Sequence, residues 1–338
     1  MTIGLIDVDG HNFPNLALMK LSGYHKHLGD DVRWWNGFET YDVVYMSKVF
    51  DETYSADVPE PVNAKRVVKG GTGYVRRKDG ELQYFVNGDW VSWVSAFSGE
   101  IAPCIRYDET LPPEIEHTCP DYGLYPQHTA DTACGYLTRG CPNNCPFCIV
   151  SQKEGLVTHK VADLSEFWNG QKTIRLMDAN LLACRDCGEL LGQLADSDSY
   201  VDFTQGLDCR RLTDENIERL HKIKVRELHF AWDMEKYERA VLAGLRRYAD
   251  SSPRKPHGSY AAVYVLTNYD TTHEYDLYRV YTLRDMGYDP YVMVYDKPNA
   301  PQITRELQRW VNNRRIFRRC RTFEEYGKWT ARFYHRRT

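Results

Sequence analysis

The stretch Tyr136-Leu-Thr-Arg-Gly-Cys141-Pro-Asn-Asn-Cys145-Pro-Phe-Cys148 decides how the rest of the chain is read. Its cysteines are spaced C-x3-C-x2-C on a loop after an extended segment. Three thiolates at this spacing can each bind one corner of a cubane iron–sulfur cluster. The loop has no fourth cysteine. One iron is therefore left without a protein ligand, as catalytic metal sites keep one position open. Pro142, Pro146 and the Asn143–Asn144 pair turn and stiffen the loop, and Gly140 lets the backbone come close. The residues alone also allow a zinc site or three buried thiols. Zinc usually takes four Cys or His ligands, and the nearest others, Cys134 and His159, lie on opposite sides of the loop.

Outward from this loop the chain alternates strand and helix. Toward the C-terminus, strands are expected at Gly135–Thr138, Thr173–Met177, Val201–Thr204, Glu227–Ala231, Ala261–Leu266 and Tyr291–Tyr295. Helical segments such as Asp214–Lys222 and Glu274–Met286 lie between them. That makes six βα units, with right-handed crossovers expected and two strands fewer than a closed barrel. Toward the N-terminus the chain opens like a doubly wound α/β unit. Strands are expected at Ile3–Asp7, Asp31–Trp35, Val43–Ser47 and Ala64–Lys69, with a first helix starting near Pro14. Leu82–Val86 and Trp90–Val94, joined through Asn87-Gly88-Asp89, read as a hairpin. The Pro- and Tyr-rich segment 103–126 links two domains, 1–126 and 127–338.

Composition agrees with a globular chain of that size. At 338 residues it is too long for one ordinary core, and its 42% hydrophobic and 27% charged residues are ordinary values. The longest apolar runs are strand-sized, so no membrane span is expected, and the N-terminus carries no basic, apolar leader. A cytoplasmic protein is the expectation.

The cysteine spacing, with Phe147 directly before the third cysteine, resembles the radical S-adenosylmethionine (SAM) superfamily. The resemblance implies an enzyme, its oxidoreductase or transferase class open. Cys141, Cys145 and Cys148 would hold one [4Fe–4S] cluster, whose open iron binds the amino and carboxylate groups of SAM. The cluster would cleave SAM reductively to a 5′-deoxyadenosyl radical that abstracts hydrogen from a substrate. It further implies that Phe147 lies against the adenine and that a flavodoxin- or ferredoxin-type protein supplies the electron. Asp178 and Asn180 follow the second barrel strand, where the superfamily puts polar groups for the SAM amino end, although Gly-Gly-Glu is missing. Gln205 and Asp208, Trp232 and Asp233, and Thr267 stand at the third, fourth and fifth strand ends. Carboxyl ends of parallel strands face the site in such barrels. Each of these residues can equally serve as a cap or turn residue.

The whole chain is similar to the branch with a Rossmann-like, cobalamin-binding-type α/β domain ahead of a partial (β/α)6 barrel. More narrowly it resembles radical SAM proteins of bacteria and their phages, on Asp7–Asn15, Val201–Asp208 and Leu228–Asp233. The usual cobalamin motif, Asp-x-His-x-x-Gly, is matched only by Asp9-Gly-His11-Asn-Phe-Pro14, with proline in place of glycine. Cobalamin is therefore not expected, and His11 reads as a turn or substrate-contacting residue. Cys184 and Cys187 could ligate an auxiliary cluster with Cys209 or Cys134. A single extra C-x2-C pair fits better as a helical pair with one buried thiol.

The substrate is open among a small molecule, a peptide and a nucleic acid. Residues 301–338 hold 11 Lys or Arg against 3 Asp or Glu, in a chain of net charge −4. Arg314, Arg315, Arg318 and Arg319 beside Trp310 and Phe317 suit phosphate and base contacts, whether in a nucleobase-modifying enzyme or in a cluster-bearing, non-catalytic regulator. The same residues equally suit a final helix packed over the barrel, their stems covering apolar surface.

Overall fold

The computed structural model describes residues 1–10, 12–78, 81–92, 105–252 and 260–334. His11, Cys104 and the last residues of the expected hairpin, Trp93 and Val94, lie outside them. The chain packs into two compact units. One comprises Met1–Asn144, Ile149–Leu156 and Lys160–Arg175; the other comprises Cys145–Cys148, Val157–His159 and Leu176–Thr338.

In the first unit, apolar and β-branched runs form β1 (Thr2–Asp7), β2 (Asp31–Trp34), β3 (Val43–Ser47) and β4 (Val67–Gly70). A three-stranded antiparallel meander follows, β5 (Val75–Lys78), β6 (Glu81–Val86) and β7 (Asp89–Ser92), and then β8 (Ile105–Asp108). The order β2-β1-β3-β4-β8 is parallel throughout. Four of the five residues of β3 are buried, as in a parallel strand covered on both faces. Helix α1 (Leu16–His27) packs Leu18 and Leu21 against Ile3, Leu5 and Val43. It begins at Leu16 and not at Pro14, because the Asn15 side chain accepts from Leu18 N at 3.2 Å and caps the first turn. The hairpin turn is as expected: Val86 pairs with Asp89, and Asn87 and Gly88 both take positive φ, 51° and 94°. Strand β5 was not anticipated, since its Arg76-Arg77-Lys78 run conceals the pattern.

The strand expected at Gly135–Thr138 lies earlier, at β9 (Thr132–Gly135), where Ala133 and Cys134 supply the buried residues. Short β10 (Thr138–Arg139) and β11 (His159–Lys160) flank the cysteine loop and its helix α2 (Val150–Glu154), and β12 (Thr173–Leu176) follows. The second unit carries β13 (Tyr200–Phe203), β14 (Lys224–Val225), β15 (Leu228–Ala231), β16 (Ala261–Thr267) and β17 (Asp289–Val294). Thr204 N donates to Leu176 O at 3.2 Å, which carries β13 beside the end of β12. β14 pairs in parallel with β13 through Val201–Val225, while β15, β16 and β17 form a separate three-stranded parallel sheet, joined to the segment after β13 by the isolated parallel bridge Leu207–Phe230. Connecting helices are α3 (Cys187–Asp196), α4 (Asp214–Lys222), α5 (Glu238–Ser251) and α6 (His273–Asp285), followed by α7 (Gln302–Asn312), α8 (Arg314–Arg319) and α9 (Phe323–Tyr334). Helix α4 has the bounds expected of it, set by the Thr213–Asn216 capping box. Among the described residues, no helix is long and apolar enough to cross a membrane.

Strand alternation gives the second unit two unlike faces. Phe230, Val263 and Val292 are fully buried, and Val292 shares a core with Val280 of α6 and with Leu307 and Trp310 of α7. The intervening positions, His229, Tyr264 and Tyr291, point the other way and remain partly open.

Gly244 marks the tightest helix contact. A methyl group there would overlap the carbonyl of Cys209, which is backbone and cannot move aside. Gly to Ala in an exposed helix normally gains about 1 kcal/mol. Here overpacking should dominate, and Gly244→Ala should lose about 1–3 kcal/mol in urea unfolding. A gain in stability would show that α5 is not seated on this turn.

Candidate active site

The cysteine loop is closed at its base by hydrogen bonds that it donates to the chain that follows it. Gly140 N donates to Glu154 Oε2 at 3.0 Å and Cys141 N to Gly155 O at 3.1 Å. Glu154 also pairs with Arg139 at 2.7 Å, and that guanidinium lies 3.6 Å from the centroid of the Tyr136 ring. The bend is made by Gly140 and Asn144, both at positive φ, 85° and 45°. Ser151 holds the Asn144 side chain at 3.0 Å. Within the second unit, Cys148 N donates to Cys145 O at 2.9 Å, a tight turn that leaves both thiols partly exposed.

Phe147 sets where the loop lies in that unit. Its ring meets Tyr269 edge-on, with centroids 5.3 Å apart, and Tyr269 meets Tyr295 at 5.0 Å. Tyr269 follows β16 by two residues and Tyr295 follows β17 directly. Cys145–Cys148 therefore lie beside the carboxyl ends of these parallel strands. Tyr269 escaped the sequence reading; its signal is an aromatic just past the Thr267-Asn268 strand end.

Other expected residues gather at the same strand ends with unequal exposure. Asn180 Nδ2 donates to Asp208 Oδ2 at 3.3 Å. Asp208 also takes a two-pronged contact from Arg210, 2.7 Å at each oxygen, and accepts from Arg210 N. Asp178 and Asn180 are buried, while Gln205 is exposed and Phe147 partly so. Trp232 is fully buried on the helix-facing side, against Tyr275 and Tyr278 of α6, and offers no surface to a ligand. Thr267 is likewise buried and donates to Met293 O at 3.1 Å. Asp233 stands one residue on from Trp232 and accepts from Leu266 N at 3.3 Å. Burial pushes its carboxyl up to about 6, although Arg279 pulls the other way.

Arg279, which the sequence reading did not single out, holds these strand ends together. Fully buried, it donates to Trp232 O (2.6 Å), Leu266 O (2.7 Å) and Asp276 (2.5 Å).

The donor set is three thiols, Cys141, Cys145 and Cys148. None of the described cysteines is in a disulfide. Among the described residues, no three His, Cys, Asp or Glu side chains stand close enough together to hold one metal ion. A cubane asks for something else, since each thiolate binds a different iron at its own corner. Cys184 is buried where it ends a short 3₁₀ turn, and Cys187 opens α3. Cys209 is buried in contact with Ala231 O and Val241 O, and desolvation raises its pKa far above that of an ordinary thiol.

No family model matches the sequence, and no curated protein sequence does either. The structure is similar to that of TsrM from Kitasatospora setae, a radical S-adenosylmethionine methyltransferase with cobalamin and a [4Fe–4S] cluster bound. The TM-score is 0.57 at 11% identity, over 87% of this chain and 74% of that one. A second TsrM structure, with tryptophan substrate and the SAM analogue aza-SAM bound, gives 0.57 at 10% identity, over 87% and 72%. At such identity the likeness establishes the fold: mixed α/β with parallel sheets.

The raised Asp233 carboxyl has a measurable consequence. The folded chain holds this proton between about pH 4 and pH 6, where the unfolded chain has released it. Stability must therefore fall as pH rises through that window and level off above it. Asp233→Asn removes the titration. The variant's unfolding free energy relative to the parent should be higher at about pH 8 than at about pH 4, by no more than about 3 kcal/mol in urea titrations. An equal difference at both pH values would mean that Asp233 is not desolvated.

Proposed function

We propose that the protein is a radical SAM enzyme, with an N-terminal Rossmann-like domain (residues 1–126) ahead of a partial (β/α)6 barrel (residues 127–338). The reading rests on one observation: a C-x3-C-x2-C loop whose Phe147 packs onto Tyr269 beside the carboxyl ends of parallel strands. Cys141, Cys145 and Cys148 would hold a [4Fe–4S] cluster. Once bound and reduced by a flavodoxin- or ferredoxin-type partner, it supplies the electron that cleaves SAM to a 5′-deoxyadenosyl radical. Everything else falls to the chain. Phe147, braced by Tyr269 and Tyr295, borders the adenine. Asn180, locked to Asp208, and the exposed Gln205 line the SAM side of the strand ends, with Asp178 behind them. The Glu154 clamp keeps the loop's first turn fixed while the cysteines bind.

Cobalamin is not part of this proposal, although TsrM carries it. The Asp9 carboxylate is already committed, accepting from Val49 N at 2.6 Å and Phe50 N at 3.3 Å. It staples the loop after β3, and Pro14 replaces the motif's glycine.

Anaerobic reconstitution should load about four irons per chain. The reduced protein should turn SAM into 5′-deoxyadenosine. Replacing Cys141, Cys145 and Cys148 together by Ala should abolish both properties, while Ala at Cys184 and Cys187 should leave the iron content at the parent value. Full iron in the triple variant would refute the cluster assignment.

Cobalamin has its own test. Incubation with hydroxocobalamin followed by desalting should leave no corrinoid absorbance, and stoichiometric retention would make methyl transfer the leading reaction.

A further inference from the structure

The open face of the sheet formed by β15, β16 and β17 contains a cavity of about 440 Å³, toward the small end of the range of ligand pockets, ~300–1,000 Å³. Its walls come from the residues that alternation turns away from the helices. His229 and Tyr264 lie flat on each other, centroids 5.0 Å apart and 8° between planes, and Tyr291 meets Tyr264 edge-on at 5.8 Å. Gln205 reaches the cavity from just past the end of β13.

Two features narrow what can enter. The first is charge. Glu227 and Arg314 bring one anion and one cation to the wall and are paired with each other. Burial keeps the His229 imidazole more readily neutral than usual. A charged ligand would leave water for a cavity that offers it no unused counter-charge, so an uncharged one is favoured.

The second feature is which hydrogen-bonding groups remain. Thr204 Oγ1 donates to Leu176 O at 2.6 Å, and Tyr264 Oη to Thr204 O at 3.2 Å. Asn312 gives both ends of its amide to the backbone of Val292. Besides the Tyr291 hydroxyl and a buried His229 Nδ1, that leaves the Gln205 amide, exposed and without a hydrogen-bond partner among the described residues. It holds a donor and an acceptor side by side, and a ring edge with a carbonyl next to an N–H matches both.

We propose that this cavity binds an uncharged planar heterocycle with a lactam edge, the size of a nucleobase or a fused two-ring system. The Gln205 amide pairs with the edge, and the wall of His229, Tyr264 and Tyr291 takes the ring by aromatic contact. Because Gln205 also stands at the strand ends of the candidate active site, the heterocycle is the substrate; that last step, unlike the binding itself, rests on the radical SAM reading.

Three fused-ring probes test this: carbostyril, which has the lactam edge; N-methylcarbostyril, which lacks the N–H; and quinaldate, which is charged. Calorimetric titration of the full-length chain, before and after anaerobic reconstitution, should show carbostyril saturating one site per chain. The other two should each bind at least about tenfold more weakly, a difference of about 1.4 kcal/mol. Gln205→Leu, a change at an exposed position, should leave the thermal melt with the parent's. It should bind carbostyril and its N-methyl relative within about twofold of each other, since the group that tells them apart is gone. Tyr291→Leu should weaken carbostyril binding severalfold through the lost ring contact. Saturating SAM, added to the reconstituted protein, should not displace carbostyril, which separates this site from that of the adenine. No binding of carbostyril, equal or tighter binding of either relative, full discrimination retained by Gln205→Leu, unchanged affinity in Tyr291→Leu, or displacement by SAM would overturn the proposal. Carbostyril binding without 5′-deoxyadenosine formation would keep the site and defeat the enzymatic reading. Formation of 5′-deoxyadenosine without carbostyril binding would do the reverse.

Discussion

A guanidinium with no exposed surface fixes the working end of the second unit. Burying an ionised group costs several kcal/mol unless it is paired and its donors are used. Arg279 meets the first condition by pairing with Asp276 on its own helix and most of the second by donating to carbonyls at the ends of β15 and β16, with only Nε left without a hydrogen bond. Lysine could not replace it, having one point charge where three acceptors need a planar fork. The bonds to Trp232 O and Leu266 O fix the register at which these strands stop. With Trp232 O held, alternation sends the indole into the helix layer and turns the next residue, Asp233, toward the strand-end site. The raised carboxyl of Asp233 follows from this: it is drawn into low-dielectric surroundings and only partly compensated by the same arginine.

Aromatic contacts do for the cysteine loop what Arg279 does for the strands. Phe147, Tyr269 and Tyr295 come from three separate stretches of chain and meet edge to face, an arrangement favoured by their quadrupoles. Asn268 reinforces it, since its left-handed backbone (φ 64°) carries the chain onward to Tyr269 and its side chain donates to Tyr295 O at 2.8 Å. The position of Cys145 and Cys148 in this unit is thus set by packing, without a covalent cross-link.

Much of the fold was legible in the residues. Val43–Ser47 and Asp214–Lys222 were located to the residue, because a continuous apolar run and a Thr213 cap are local signals. Strand β5 and the displaced β9 were missed, since charge hid one and Gly135 was read as a strand start when it is the end. The three cysteines and Phe147 were singled out by their spacing alone, and the fold adds the contact of Phe147 with Tyr269. Trp232 and Thr267 were named from their position at strand ends, but which way a side chain faces there depends on register, and register is set by distant partners. Arg279, Glu154 and Tyr269 were invisible for the same reason: each matters only through what it touches across the fold.

The basic C-terminal segment illustrates the limit of counting charges along a sequence. Its 11 cations against 3 anions suggest a surface seeking phosphate. In the fold, Arg314 is held by Glu227, which precedes β15, and by Asp289, which opens β17. The anions were present, but in strands outside the counted window. Trp310 and Phe317, which beside those arginines suggested base stacking, are instead buried with Val292 in the core under β17. Arg314 therefore works inward, as part of a cavity wall, while Arg315 and Arg319 remain on the surface. A local excess of charge becomes evidence for a ligand only once partners supplied by the fold have been subtracted. In this unit that subtraction takes Arg314 out of the count and leaves Arg315 and Arg319 in it.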